Sequence, residues 1–103
     1  MLVLGGNGKI KYMTPDAQKM LEYTDDQPQR GSFFSLVHHR NLYQVMRDVS
    51  EMVCSGKQKA SWALWLKTAK GHWRWFKIQV HNRLTDETAS LQLVIQETHD
   101  AEA

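Results

Sequence analysis

The sequence has little of what usually announces a chemistry. A single cysteine, Cys54, among 103 residues excludes an internal disulfide and points to a reducing, cytoplasmic setting. No apolar run approaches the ~18 residues that a membrane-spanning helix needs, and no stretch reads as a signal peptide. Charge of one sign is not concentrated: 13 Lys and Arg against 11 Asp and Glu leave a formal net charge of +2. That scatter is unlike the clustered basic stripe of a nucleic-acid binder. The five histidines do not recur at metal-ligand spacing, so no metal site is expected. Gly5-Gly6-Asn7-Gly8 precedes a strand rather than a helix, which makes it a turn and not a phosphate cradle. The acidic pairs Asp25-Asp26 and Asp86-Glu87 fall in polar turns, where neighbouring side chains diverge. Catalysis therefore has little support in the sequence.

What the sequence does have is a core and a pattern. Hydrophobic residues make up 42%, enough for one small domain that buries about 60–70% of its unfolded surface. The most informative stretch is Lys59 to Leu84, which holds all four tryptophans. Apolar and polar residues alternate along it, as in strands covered on one face. The alternation breaks once, at Thr68-Ala69-Lys70-Gly71, a polar, Gly-containing turn between two strands of a hairpin.

Ahead of this hairpin, Leu2-Val3-Leu4 and Lys9 to Met13 read as strands joined through Asn7-Gly8, with Ile10 and Tyr12 on one face. Thr14-Pro15-Asp16 opens a helix: Thr14 caps it, Pro15 takes the first helical position and Asp16 sits in the first turn. Ala17, Met20 and Leu21 share one face, and the helix ends near Tyr23. A polar loop from Thr24 to Gly31 follows, with Asp25-Asp26 able to open one helical turn. Ser32 caps a short turn over 33–37. The longest helical pattern follows His38-His39-Arg40-Asn41. Leu42, Val45, Met46, Val49 and Val53 form its apolar stripe, with Gln44, Arg47, Asp48 and Glu51 opposite. Gly56 stops it. After the tryptophan hairpin, Thr85 to Thr88 turns into a last strand over 89–98. Runs of strands and runs of helices predict an α+β domain, with helices packed on one side of an antiparallel sheet.

The pattern resembles a PAS domain over almost the whole chain. Gly8 to Tyr12 is similar to that family's opening hairpin. Ala17 and Leu21-Glu22-Tyr23-Thr24 resemble its first-helix segment, and Gly31, Phe34 and Leu36-Val37-His38 the stretch before its long helix. Gly71-His72-Trp73-Arg74-Trp75 resembles the Gly-x-x-Arg-Trp start of its fourth strand. Three positions depart from the pattern. Glu22 stands where Gly is frequent, predicting a less sharply turned helix end. His39-Arg40 replaces Pro-Asp, removing a rigid start to the long helix, and Thr14 replaces a capping Asn.

The resemblance implies a five-stranded antiparallel sheet in the order 2-1-5-4-3 over residues 1–99. Residues 100–103 would then begin a linker to an output domain such as a histidine kinase of a two-component system, a diguanylate cyclase or a transcription regulator. Such modules are non-enzymatic bacterial-type sensors that bind a small molecule between helices and sheet, or dimerise. Phe34, Leu42, Val45, Met46, Val49, Leu64, Phe76, Ile78 and Leu93 are the implied lining of a ligand slot. Phe76, Ile78, Val80, Leu64, Leu91, Leu93 and Ile95 face the helices, which puts Trp73 and Trp75 on the opposite face. Two tryptophans on a solvent face mark an interface, with a second copy or an N-terminal flank as the partner; the alternative is that they belong to the domain's own core. The cofactor stays open. A haem would need a His on the inward helical stripe, and a covalent flavin a Cys in the turn over 33–37. Neither residue is there. A noncovalent flavin needs only an apolar slot with a few polar groups. Cys54 reads as a small half-buried thiol, and the large Phe33, Phe34, Met46 and Phe76 favour a filled core.

Overall fold

A computed structural model of the chain describes residues 1–23, 31–85, 87 and 89–97. Five strands form one antiparallel sheet: β1 (Leu2–Gly5), β2 (Ile10–Met13), β3 (Lys59–Lys67), β4 (Trp73–Arg83) and β5 (Ser90–Glu97). Their spatial order is β2-β1-β5-β4-β3, as the resemblance implies. Helix α1 (Pro15–Met20), a 3-10 turn (Phe33–Leu36) and helix α2 (His39–Ser55) lie between β2 and β3 in sequence.

The local rules account for most boundaries. Thr14 Oγ1 accepts the Ala17 N–H at 3.3 Å, and Ser32 Oγ accepts that of Phe34 at 3.1 Å. These are side-chain caps on otherwise orphaned donors. Gly56 closes α2 in the left-handed region at φ 74°. Trp62, Leu64 and Leu66 of β3, Phe76, Ile78 and Val80 of β4, and Leu91, Leu93 and Ile95 of β5 are all buried. They form one core with Leu2, Leu4, Ile10, Met13, Ala17, Leu21 and Phe33.

Four details correct the sequence reading. In β2, Ile10 pairs with Leu4 and Tyr12 with Val3, so Lys11 is an extra residue in a bulge. A bulge reverses the alternation beyond it; Ile10 and Met13 therefore face the core and Tyr12 faces outward. In α2 the buried face is Val45, Asp48, Val49 and Met52, with Leu42 half-buried. Met46 and Val53, expected inside, are 45% and 52% exposed. The arc is rotated because Asp48, expected outside, is satisfied inside: its Oδ2 accepts the Trp62 indole N–H at 2.7 Å. Cys54 is exposed rather than half-buried. Finally, Glu22 turns the end of α1 at φ 63°, as sharply as a glycine would. The expected turn at Asp25-Asp26 lies outside the described residues, as do residues 98–103.

Candidate functional site

Three places on this scaffold bear on function. The first is the helix-facing side of the sheet. Leu64, Phe76, Ile78 and Leu93 are completely buried there, and Val45 with them. Phe33 stacks on Trp62 with ring centroids 6.2 Å apart, so aromatic bulk fills the space under α2. Asp48 supplies the polar element. Besides Trp62, it accepts from Lys57 Nζ at 3.0 Å, and Arg47 approaches to 3.8 Å. Burial works to raise its pKa, but the indole N–H, Lys57 and Arg47 together hold the carboxyl below the ordinary range.

The second place is an open groove of about 210 Å³ between the β1–β2 turn, the 3-10 turn and the outer side of α2. Phe34, Met46 and Val49 line it, with Gly6, Asn7, Ser50, Val53 and Cys54. Three of the nine predicted lining residues thus meet here. Leu42, Val45, Leu64, Phe76, Ile78 and Leu93 do not reach the groove, and neither do Trp73 and Trp75. Gly8 beneath it has φ +84°, and a Cβ there would stand 2.5 Å from Phe34 Cε2. The glycine is what lets the Phe34 ring lie against the turn.

The third place is the outer face of the sheet. Alternation puts Trp65, Trp73 and Trp75 there, with Trp73 43% exposed. Trp65 is directly opposite Trp75 across β3 and β4, edge to face at 5.2 Å. The chain before α2 closes over the free edge of β3: Val37 bridges Leu66, and the His38 N–H donates to the Trp65 carbonyl at 3.1 Å. The imidazole of His38 thereby meets Trp73 edge-on at 4.9 Å. Sequence reasoning found Trp73 and Trp75 but passed over Trp65, although its parity with Ala63 and Lys67 already placed it outward.

An ion-pair network ties the ends of these elements together. Glu22 Oε1 is 2.9 Å from His72 Nδ1 and 3.5 Å from Arg74 Nε. Arg74 Nη1 donates to Glu97 Oε2 at 3.2 Å, at the end of β5. The Thr68 hydroxyl first, then His72 and Arg74, hold the Glu22 carboxyl below its usual range against an opposing contribution from burial. The Leu21 carbonyl also accepts the Ala69 N–H at 2.9 Å. Three side chains of the β3–β4 region, with the Ala69–Leu21 backbone bond beside them, therefore hold Glu22 in its left-handed conformation.

The remaining histidines have structural surroundings. His38 caps α2 through Nδ1, accepting the Arg40 N–H at 3.1 Å; His39 is exposed, and His81 is half-buried on the outer face of β4. Among the described residues, no three His, Cys, Asp or Glu side chains gather as a metal-binding group. No described helix is long and apolar enough to cross a membrane.

Comparison with known proteins gives no match to a protein-family profile and none to a curated protein sequence. Solved structures do match. One is the wild-type PAS-B domain of Drosophila melanogaster Cycle, in a structure with bound ethylene glycol. It superposes with a TM-score of 0.71 at 12% identity, covering 95% of this chain and 98% of that one. With the strand order and helix placement already described, this likeness fixes the architecture: the chain has the PAS fold.

Proposed function

We propose that this domain is a non-enzymatic signal-transduction module that works through protein contact, pairing with a second copy across the outer face of its sheet. It regulates an output domain linked to it, of the histidine kinase, diguanylate cyclase or transcription-regulator kind. The observation that carries the reading is the cluster Trp65, Trp73 and Trp75 on the side of the sheet away from the helices. Large aromatic side chains anchor interfaces because they bury much area at little cost in conformational freedom. Filled packing on the other side, with Phe33 and Phe76 completely buried, favours contact over an internal ligand as the input.

Transmission follows from the Glu22–Arg74–Glu97 chain of ion pairs. Arg74 sits on β4 between Trp73 and Trp75 in sequence and joins the end of α1 to the end of β5. A partner that shifts the tryptophans shifts the strand carrying Arg74, and so biases how β5 leaves the sheet.

Native mass spectrometry and size-exclusion chromatography test the reading. Wild type should run as a dimer, and Trp73→Ala/Trp75→Ala as a monomer of unchanged circular dichroism. An unchanged monomer in both would end the contact reading. Visible absorbance from the purified protein would instead favour a haem or noncovalent flavin sensor.

A further inference from the structure

The cleft at the free edge of β3 has a composition that protein contact does not require. Its volume is about 160 Å³, and His38, Arg40, Trp65 and Trp73 line it. Two indoles and an imidazole supply aromatic walls. Arg40 is exposed at the mouth, and among the described residues no carboxylate pairs with it. Lys67, across from Trp73 in the strand register, adds to the positive side, and none of the described acidic groups lines the cleft. His38 commits Nδ1 to the Arg40 N–H, which leaves the proton on Nε2 as a donor. Desolvation, then His39 and Arg40, lower its pKa.

We infer that this cleft binds a small aromatic carboxylate, with its ring against Trp65 and Trp73 and its carboxylate on the Arg40 guanidinium and His38. The cleft is open to solvent, and its space of about 160 Å³ has room for one aromatic ring against the indoles. A carboxylate on the ring answers the unpaired guanidinium through a charge-assisted hydrogen bond. The dimer reading uses the same Trp65 and Trp73, so a second copy seated on the outer face would cover the cleft, and the two readings compete for these residues.

Phenylacetate is a suitable probe, followed through the four indole N–H signals in nitrogen-15 NMR spectra. The Trp65 and Trp73 signals should move together and saturate, while that of Trp62, held by Asp48, stays in place. Phenylacetamide, which keeps the ring and loses the charge, should bind about tenfold more weakly. Arg40→Gln should weaken phenylacetate about tenfold and leave phenylacetamide unchanged. Three results would overturn the inference: no saturable shift, acetate moving the same signals as strongly, or Arg40→Gln without effect. A shift confined to Trp62 would overturn it as well, by placing the ligand in the core. The titration is run at a protein concentration where sedimentation finds only monomer, so that a missing shift reports on the cleft and not on its coverage by a second copy.

Discussion

At the scale of the residue, Asp48 is the clearest case of a position whose partner decides its place. A carboxylate 4% exposed is tolerable because Trp62 and Lys57 satisfy it. Asp48→Ala removes that acceptor and leaves a buried indole N–H without one. It should cost about 2–4 kcal/mol in urea unfolding. The sign of the pH dependence follows from the direction of the pKa shift. A carboxyl held below its ordinary value stabilises the fold above the unfolded pKa, and that contribution fades as pH falls through the folded one. The stability gap between wild type and Asp48→Asn should therefore be constant near neutrality and narrow below about pH 4. A gap that widens in acid would contradict the assignment.

Glu22 makes a complementary point. Its φ of 63° suits glycine, yet its carboxylate has work that glycine cannot do. Glu22→Ala keeps the strain and loses the ion pairs, whereas Glu22→Gly loses the ion pairs and relieves the strain. The glycine variant should melt above the alanine variant, as thermal unfolding by circular dichroism will show. Amide exchange at the end of β5 should rise in both, because Arg74 loses one of its two anchors.

At the scale of the element, the β1–β2 turn depends on Gly8. Its φ of +84° and the closeness of the Phe34 ring act together, and the Phe33 N–H donates to the Gly8 carbonyl at 2.8 Å. Gly8→Ala should destabilise by about 2–4 kcal/mol, combining left-handed strain with an overpacked ring contact. Gly56→Ala, with φ +74° but open space around it, carries only the strain and should cost about 1–2 kcal/mol. Comparing the two urea midpoints separates strain from crowding.

Elements were legible where a short-range rule governs them. Thr14-Pro15-Asp16, Ser32 and Gly56 mark helix ends through their own backbone and side-chain preferences, and the tryptophan hairpin declares itself by period two. The bulge at Lys11 was not legible, since an inserted residue leaves no local mark until two strands are paired. The rotation of α2 escaped for the same reason. Met46 and Val53 fit an apolar stripe as well as Met52 does, and only the position of Trp62 on β3 admits Asp48 to the buried arc.

For the whole molecule, the sheet separates two environments. Its inner face, with the helices, is a continuous apolar core; its outer face holds three tryptophans at one end. If the outer face is the contact surface, Trp73→Ala/Trp75→Ala should abolish association with little loss of fold, since Trp73 is nearly half exposed and neither residue belongs to the core. Asp48→Ala should do the reverse, lowering stability with association intact at temperatures where the fold persists. Sedimentation and urea titration of the two variants side by side would check this separation.

By itself the sequence determined the strand and helix inventory, the α+β class and the outward side of the tryptophan hairpin. These follow from periodicity and capping, which act over a few residues. Through its ordered motifs it also resembled the PAS pattern whose strand order the structure displays. Tertiary structure decided what depends on distance between segments far apart in the chain. It buried Asp48 against Trp62, turned Glu22 against the β3–β4 hairpin, and brought His38 and Arg40 from the start of α2 to Trp65 and Trp73. No local preference encodes such meetings, because a charge or an indole gains its partner only when the sheet and helix have packed.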